Sequence, residues 1–196
     1  MGFEPTNVKR TLRKSIIARR DALPEADRSA MSAIITRKIG SLAAYVDAEM
    51  VLAYMSFGSE FETGDFVRGV LETGKTLILP RLNRDRCGLD LYRVTDLEDG
   101  LEVGVWGIRE PRGGTMLEDF SLLDFILVPG VAFSRDGGRL GYGGGFYDRL
   151  LVGKRPDALA LAAAFSVQMV EKVPLEANDI PVDGIVTETG EYVRRF

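Results

Sequence analysis

Apolar positions arrive along this chain in two rhythms. Between Asn7 and Leu23 they recur every three to four residues, with Val8, Leu12, Ile16 and Ala22 near one stripe. The spacing predicts a helix, with Asn7 placed to cap it. Lys9 and Arg13 are four apart and so share a face of it. Pro24 then opens a second helix expected to run to about Val46, with Ala26, Met31, Ile34, Ile35 and Leu42 as its apolar positions. From Glu49 the rhythm changes. Glu49–Met55 reads as a strand, and it ends in the polar loop Ser56–Glu62, which carries Glu60 and Glu62. Asp65–Glu72 reads as a short helix closed by Gly74, and Thr76–Pro80 as the next strand. Strand, helix and strand in that order make a βαβ unit, and hence a parallel sheet.

Further on, Leu89–Val94 alternates as an edge or hairpin strand does. Gly100–Leu117 is rich in glycine, proline and charge, and reads as a long loop around Trp106. Phe125–Val128 is expected to be a central strand, closed by Pro129-Gly130. Ala158–Ala164 is a continuous small apolar run, expected as another buried parallel strand. Ile180–Val186 should supply a last one. With no repeat, low-complexity tract or linker, the expectation is one α/β unit over 1–196, with 1–46 as a helical arm packed on it.

Composition narrows the chemistry. The net charge of −4 argues against general nucleic-acid binding. Basic residues nevertheless gather near the start, at Lys9, Arg10, Arg13, Lys14, Arg19 and Arg20. By pattern alone a solvated helix face fits them slightly better than a polyanion site. Cys87 is the one cysteine and histidine is absent. That removes a disulfide, a Cys–His pair, a Ser–His–Asp triad and any histidine zinc site. A single cysteine, no apolar run of membrane-spanning length and no signal-peptide pattern in Met1–Asn7 lead to a reducing, cytoplasmic expectation.

The stretch Arg139–Asp148 carries the strongest chemical signal. Four glycines fall within Gly141–Gly145, between the strand at Phe125–Val128 and a helix expected from Tyr147 to Leu151. Glycine lets the backbone take positive φ and approach a ligand closely. Bare N–H groups and a helix start then favour a phosphate. Asp148 at that helix start is a natural magnesium ligand beside it. Two decoys fall away. Gly69–Thr76 fits a phosphate-loop pattern letter for letter, but that motif needs a strand before it and a helix after it, and here the order is reversed. The loop also lacks the third glycine of the dinucleotide fingerprint, so no nicotinamide cofactor is indicated.

Val128-Pro129-Gly130-Val131-Ala132-Phe133, followed by Gly138–Asp148, closely resembles the 5-formyltetrahydrofolate cyclo-ligase (5,10-methenyltetrahydrofolate synthetase) family. The resemblance extends to the basic helix Lys9–Arg13, the loop Ser56–Thr63, and the closing segment Val173-Pro174 with Asp179–Asp183. It implies a three-layer α/β fold on a mostly parallel sheet, Rossmann-like and akin to sugar-phosphate isomerases and CoA transferases. It implies an ATP- and Mg²⁺-dependent enzyme, acting on a reduced folate as a monomer, without nucleic acid or membrane. ATP would meet Lys9, Arg10, Thr11, Leu12 and Arg13, and the loop residues Arg139, Leu140, Gly141, Tyr142, Gly143, Gly144, Gly145, Phe146 and Tyr147. Arg139 and Tyr147 would serve the catalytic step. Met55, Glu60 and Trp106 would hold the folate together with Tyr142–Phe146. Asp148 and Asp179 would hold Mg²⁺, and Asp183 is either a further polar residue of the site or a strand-start residue. Gly144 and Tyr142 stand where some relatives carry basic residues, so Arg139, Lys9 and Arg13 would have to offset more phosphate charge here. A non-catalytic nucleotide or folate binder is the competing reading, and an ATP-independent sugar-phosphate isomerase a third.

Overall fold

The computed structural model describes residues 5–193; Met1–Glu4 of the leading segment lie outside the described residues. Helix α1 spans Pro5–Asp21, so it begins ahead of Asn7. Asn7 does not cap it; its side chain accepts a hydrogen bond from Arg10 Nη2 within the first turns. The second helix is split. Helix α2 covers Glu25–Gly40 and α3 covers Ala43–Val46, separated where Leu42 takes an extended conformation. The order then runs β1 (Met50–Leu52), α4 (Gly64–Glu72), β2 (Thr76–Asn83), β3 (Gly88–Val94), β4 (Leu101–Val103) and β5 (Arg109–Pro111). It continues with β6 (Phe125–Leu127), β7 (Ala132–Ser134), β8 (Arg139–Leu140), α5 (Phe146–Leu151), β9 (Leu159–Ala163), β10 (Met169–Val170), β11 (Gly184–Val186) and β12 (Glu191–Val193).

The main sheet has the order β12-β11-β9-β6-β1-β2-β3. Its five inner strands are parallel, and β3 and β12 close the edges antiparallel. Alternate residues of each inner strand feed opposite faces. Val51, Leu77, Leu79, Phe125, Leu127, Leu159 and Leu161 join the side covered by α2, α3 and α4. Leu52, Ile78, Ile126, Ala160 and Ala162 join the side that takes in Phe133 and Leu151. This is the three-layer, mostly parallel arrangement expected, and burial on both faces explains why the inner strands read as unbroken apolar runs. Tyr45, Phe66 and Phe125 form an aromatic contact between the helices and the sheet, with Tyr45 edge-on to Phe125 at 5.3 Å.

Several expectations need correction. The Gly100–Leu117 loop contains the antiparallel hairpin β4–β5, whose tip holds Val105–Gly107. Strand β2 runs past Pro80 to Asn83, because β1 has already ended opposite Ile78 and a proline there interrupts only one side of the ladder. Only Gly184–Val186 of the last apolar segment is strand. The apolar stripe of α1 is also different. Val8 is 39% exposed and Ala22 is exposed, while Lys9, Ile16 and Arg20 are buried. The helical period is right, but the face that turns inward is largely basic. The rival phosphate loop is absent: Gly69 lies inside α4, and Gly74, with φ +77°, closes its C-terminus before β2.

Asp124 fixes the entry of the two central strands. Its Oδ2 accepts from the Glu49 and Met50 N–H groups at 2.8 and 2.7 Å, and its other oxygen pairs with Arg155. Burial opposes the charge, but these donors outweigh it and hold the carboxyl below the ordinary aspartate value. A group with a depressed folded pKa stabilises the fold at higher pH and loses that contribution as acid protonates it. Asp124→Asn should therefore cost about 1–2 kcal/mol at neutral pH. The difference from wild type should shrink as the pH falls below about 4, as read from urea unfolding at a series of pH values.

Candidate active site

Sheet connectivity places the site. From β1 the chain proceeds to β2 and β3 on one side, whereas β6, β9 and β11 lie on the other. Connections therefore reverse between β1 and β6, and ligands of open α/β sheets bind beyond the strand carboxyl ends at such a reversal. A cavity of about 980 Å³ lies there. It takes Tyr54, Met55, Phe57 and Glu60 from beyond β1, Pro129 from beyond β6, and Pro80, Leu82 and Leu89 from β2 and β3. The glycine loop forms one wall, from Arg139 through Asp148. Helix α1 contributes Lys9 and Arg13, and the β4–β5 hairpin contributes Trp106, Ile108, Arg109 and Glu110. The closing segment adds Glu176 and Asp179.

The loop geometry follows from its glycines. Gly143 and Gly145 have φ of +108° and +63°, and Gly145 is the residue that starts α5. A side chain at Gly144 would collide with the Phe146 ring. Helix α5 has only six residues, so the bare loop amides supply more of any anion affinity than the helix dipole does.

Two cations of α1 bracket this wall. Arg13 Nε donates to the Gly141 carbonyl at 2.7 Å. Lys9 Nζ meets Asp179 Oδ2 at 2.5 Å and Glu176 Oε2 at 3.1 Å. Burial would lower the Lys9 ammonium, but these partners hold it above the ordinary lysine value. Burial likewise opposes the Asp179 charge; Lys9 and the Glu176 N–H keep its carboxyl low. Arg139, 5% exposed, donates from Nη2 to Asp148 Oδ1 at 2.6 Å. The Ile180 N–H reaches the same oxygen at 3.1 Å, which brings the closing segment beside Asp148. Two buried atoms on this wall, Arg139 Nε and the Tyr147 hydroxyl, have no protein partner. Both are donors, on residues that line the cavity.

The wall beyond β1 is apolar apart from Glu60, which the Tyr142 hydroxyl joins to the glycine loop. Glu60 is 4% exposed, and burial raises its pKa against the pull of Tyr142, the Phe57 N–H and Arg20. Burial and then the Glu60 charge push the Tyr54, Tyr142 and Tyr147 phenols up, so all three remain neutral donors at ordinary pH. Tyr147 is thus a hydrogen-bond donor and not a base. Trp106 sits at φ +60° and 73% exposed at the hairpin tip, on the cavity rim.

Of the residues singled out in the sequence, Lys9, Arg13, Met55, Glu60, Trp106, Arg139–Asp148 and Asp179 all line this one cavity. Arg10, Thr11 and Leu12 do not. Arg10 and Thr11 are exposed, and Leu12 packs beside Ile16 and Val131. Glu62 turns away to Ser29 and Ser32 of α2. Asp183 is also elsewhere, accepting from the Ala160 N–H at 2.8 Å and pairing with Lys154, so it braces β9. Sequence reasoning held Arg20 only as one of the basic residues of α1 and Phe57 only as part of the loop Ser56–Thr63, and it did not single out Tyr54 or the wall made by Pro80, Leu82 and Leu89. No group of three or more acidic, cysteine or histidine residues suited to a metal exists among the described residues. Asp148 and Asp179 both line the cavity near each other, each paired with a cation, Arg139 and Lys9, and Mg²⁺ in its usual mode needs only one or two carboxylates beside phosphate oxygens and water.

A mostly parallel sheet, with a glycine-rich loop beside a large and mainly apolar cavity at the strand carboxyl ends, defines an α/β protein of the class that binds ligands at such a reversal. A model of the 5-formyltetrahydrofolate cyclo-ligase family matches residues 5–188, and the chain belongs to that family. It is 32% identical over 171 residues to the 5-formyltetrahydrofolate cyclo-ligase of Escherichia coli (strain K12), covering 86% of this chain and 94% of that one. It is 29% identical over 191 residues to the mouse enzyme of the same name, covering 93% and 94%. The solved 5,10-methenyltetrahydrofolate synthetase of Aquifex aeolicus superposes with a TM-score of 0.84 at 36% identity, covering 95% of this chain and 92% of that one. No helix among the described residues is long and apolar enough to cross a membrane.

The glycine geometry makes a direct stability prediction. Gly145→Ala forces an alanine into the left-handed region, with its Cβ 3.0 Å from Arg149, and should cost about 1–2 kcal/mol. Gly69→Ala, in helix α4 with open space around it, should stabilise by about 0.5–1 kcal/mol. Urea unfolding of both variants checks the contrast.

Proposed function

We propose that this protein converts 5-formyltetrahydrofolate to 5,10-methenyltetrahydrofolate at the expense of ATP, with release of ADP and phosphate. One observation carries the reading: a single chamber joins a glycine-lined wall that holds Lys9, Arg13 and Arg139 to a mainly apolar wall on which Glu60 is buried. A triphosphate suits the first wall and a pterin ring the second. The reactive formyl group would then lie between them, at the Tyr142–Phe146 stretch shared by both.

On this reading the formyl oxygen attacks the γ-phosphorus of ATP, and ADP leaves. The N10 nitrogen then attacks the activated formyl carbon and gives up its proton to solvent or the departing phosphate, and the C–O bond breaks to release phosphate with the original formyl oxygen. The methenyl bridge remains between N5 and N10. Such chemistry needs positioning and charge neutralisation more than a histidine base, which agrees with a chain that has none. Arg13 and the loop amides would grip the phosphates. Lys9 and Arg139, now paired with Asp179 and Asp148, would turn part of their charge to the nucleotide. Asp148 and Asp179 would hold Mg²⁺, which when bound neutralises phosphate charge. Arg139 and Tyr147, both on the loop wall, would serve the transferred group. Glu60 and Met55 would orient the folate, with Trp106 at its rim.

The wild-type protein, given 5-formyltetrahydrofolate, Mg²⁺ and ATP, should build up the methenyl absorbance, and should not do so without ATP. Tight binding of both compounds by folded protein without turnover would instead make it a binder, and turnover without ATP would favour isomerase chemistry. Asp148→Asn should lower Mg²⁺-dependent kcat/KM by about 100-fold or more while the circular dichroism spectrum is kept. Lys9→Ala with Arg13→Ala should raise KM for ATP about tenfold or more, and KM for folate by less than about twofold. Equal effects on both would make α1 scaffolding only.

A further inference from the structure

Arg20 is a buried cation whose partners are not carboxylates. It is 3% exposed. Among the described residues its hydrogen bonds go to two hydroxyls, Nε to Ser59 Oγ and Nη2 to Tyr142 Oη, each at 3.0 Å. A guanidinium offers donors only, so both hydroxyls must accept from it and send their single proton elsewhere. Ser59 donates to Asp21 Oδ1, and Tyr142 donates to Glu60 Oε1 at 2.6 Å. The second Glu60 oxygen accepts from the Phe57 N–H at 3.1 Å. Glu60 therefore faces a donor on each oxygen, an arrangement that favours the carboxylate over the protonated carboxyl.

The groups facing Glu60 come from four segments: Arg20 on α1, Tyr54 beyond β1, Tyr142 in the glycine loop and Tyr147 on α5. The three phenols are neutral, so Arg20 brings the positive charge that offsets burial of Glu60. The Tyr142 ring is itself held against Phe57, with centroids 5.2 Å apart. Isolated burial of a charge this deep is costly unless it is paired through hydrogen bonds. Here the pairing runs through one hydroxyl whose proton direction is dictated.

We propose that Arg20 is a positioning residue: through the Tyr142 hydroxyl it holds Glu60 as an oriented carboxylate toward the folate side of the cavity. The assignment of that side rests on the cyclo-ligase function proposed for the chain. A carboxylate fixed in one orientation accepts an N–H of a heterocycle at one angle, and so selects both the ring and its pose. Tyr142 belongs to the same loop as the phosphate wall, so the link also sets the loop against the folate wall.

The test uses full-length protein labelled with carboxyl-¹³C glutamate, with the Glu60 signal assigned by Glu60→Gln. In Arg20→Met the Glu60 titration midpoint should rise by roughly one pH unit. Tyr142→Phe should raise it too, and the double variant should go no further than the larger single change. In turnover, Arg20→Met should raise KM for folate about tenfold while KM for ATP stays within about twofold. A lowered Tm with an unmoved Glu60 midpoint would reduce Arg20 to a structural tie and overturn the proposal, and so would additive shifts in the double variant. If Arg20→Met does not fold, Arg20→Gln, which keeps a polar side chain beside Ser59 and Tyr142 without the charge, is read by the same criteria. The titration needs no turnover. It therefore reads independently of the folate assignment, which fails separately if wild-type protein forms no methenyl product.

Discussion

The inward-facing positive charge of α1 is the constraint on which this site depends. Lys9 and Arg20 are buried, and Arg13 leans on the glycine loop. Cations taken from water must find anions or oriented oxygen atoms, or the helix would lift away. Each answer to that demand fixes a different segment. Asp179 and Glu176 bring in the closing segment, the Gly141 carbonyl and the Tyr142 hydroxyl bring in the loop, and Ser59 brings in the turn beyond β1. One helix face thus gathers three stretches that are far apart in the chain, and the cavity is the space they leave.

The sheet makes this assembly possible by being rigid where the site is not. Its inner strands are buried on both faces and held at their entry by Asp124, so their carboxyl ends emerge at fixed places. Beyond each end the backbone turns irregular, in the Tyr54–Glu60 turn, Pro129-Gly130 and the glycine loop. Loops on a stiff scaffold can carry polar backbone toward a ligand without loosening the core. The loop is also tied from the outside, where Arg149 donates to the Gly144 and Cys87 carbonyls and stacks on Phe146.

The parts readable in advance were those in which one residue type dictates geometry. Gly141–Gly145 announced a loop that a packed core could not hold, and it lies on the cavity with Gly143 and Gly145 at positive φ, while the apolar runs at Phe125 and Ala158 announced buried parallel strands. The failures have equally local causes. Periodicity located a face of α1 but not its direction, because Lys9 and Arg20 occupy positions where an apolar residue is the rule and Val8 takes the exposed one. Strands β4, β5, β7, β8 and β10 have two or three residues each, too short for alternation to register. The link from Arg20 through Tyr142 to Glu60 spans residues 20, 142 and 60, and nothing local in the chain marks it.

The central claim is that the bare backbone after Leu140 and the cations of α1 grip a nucleotide at this cavity. Amide NMR during titration with a non-hydrolysable ATP analogue and Mg²⁺ tests it most directly. The account predicts that the shifts concentrate at Gly141–Phe146, Lys9 and Arg13. Saturable shifts elsewhere, with the glycine loop silent, would contradict it.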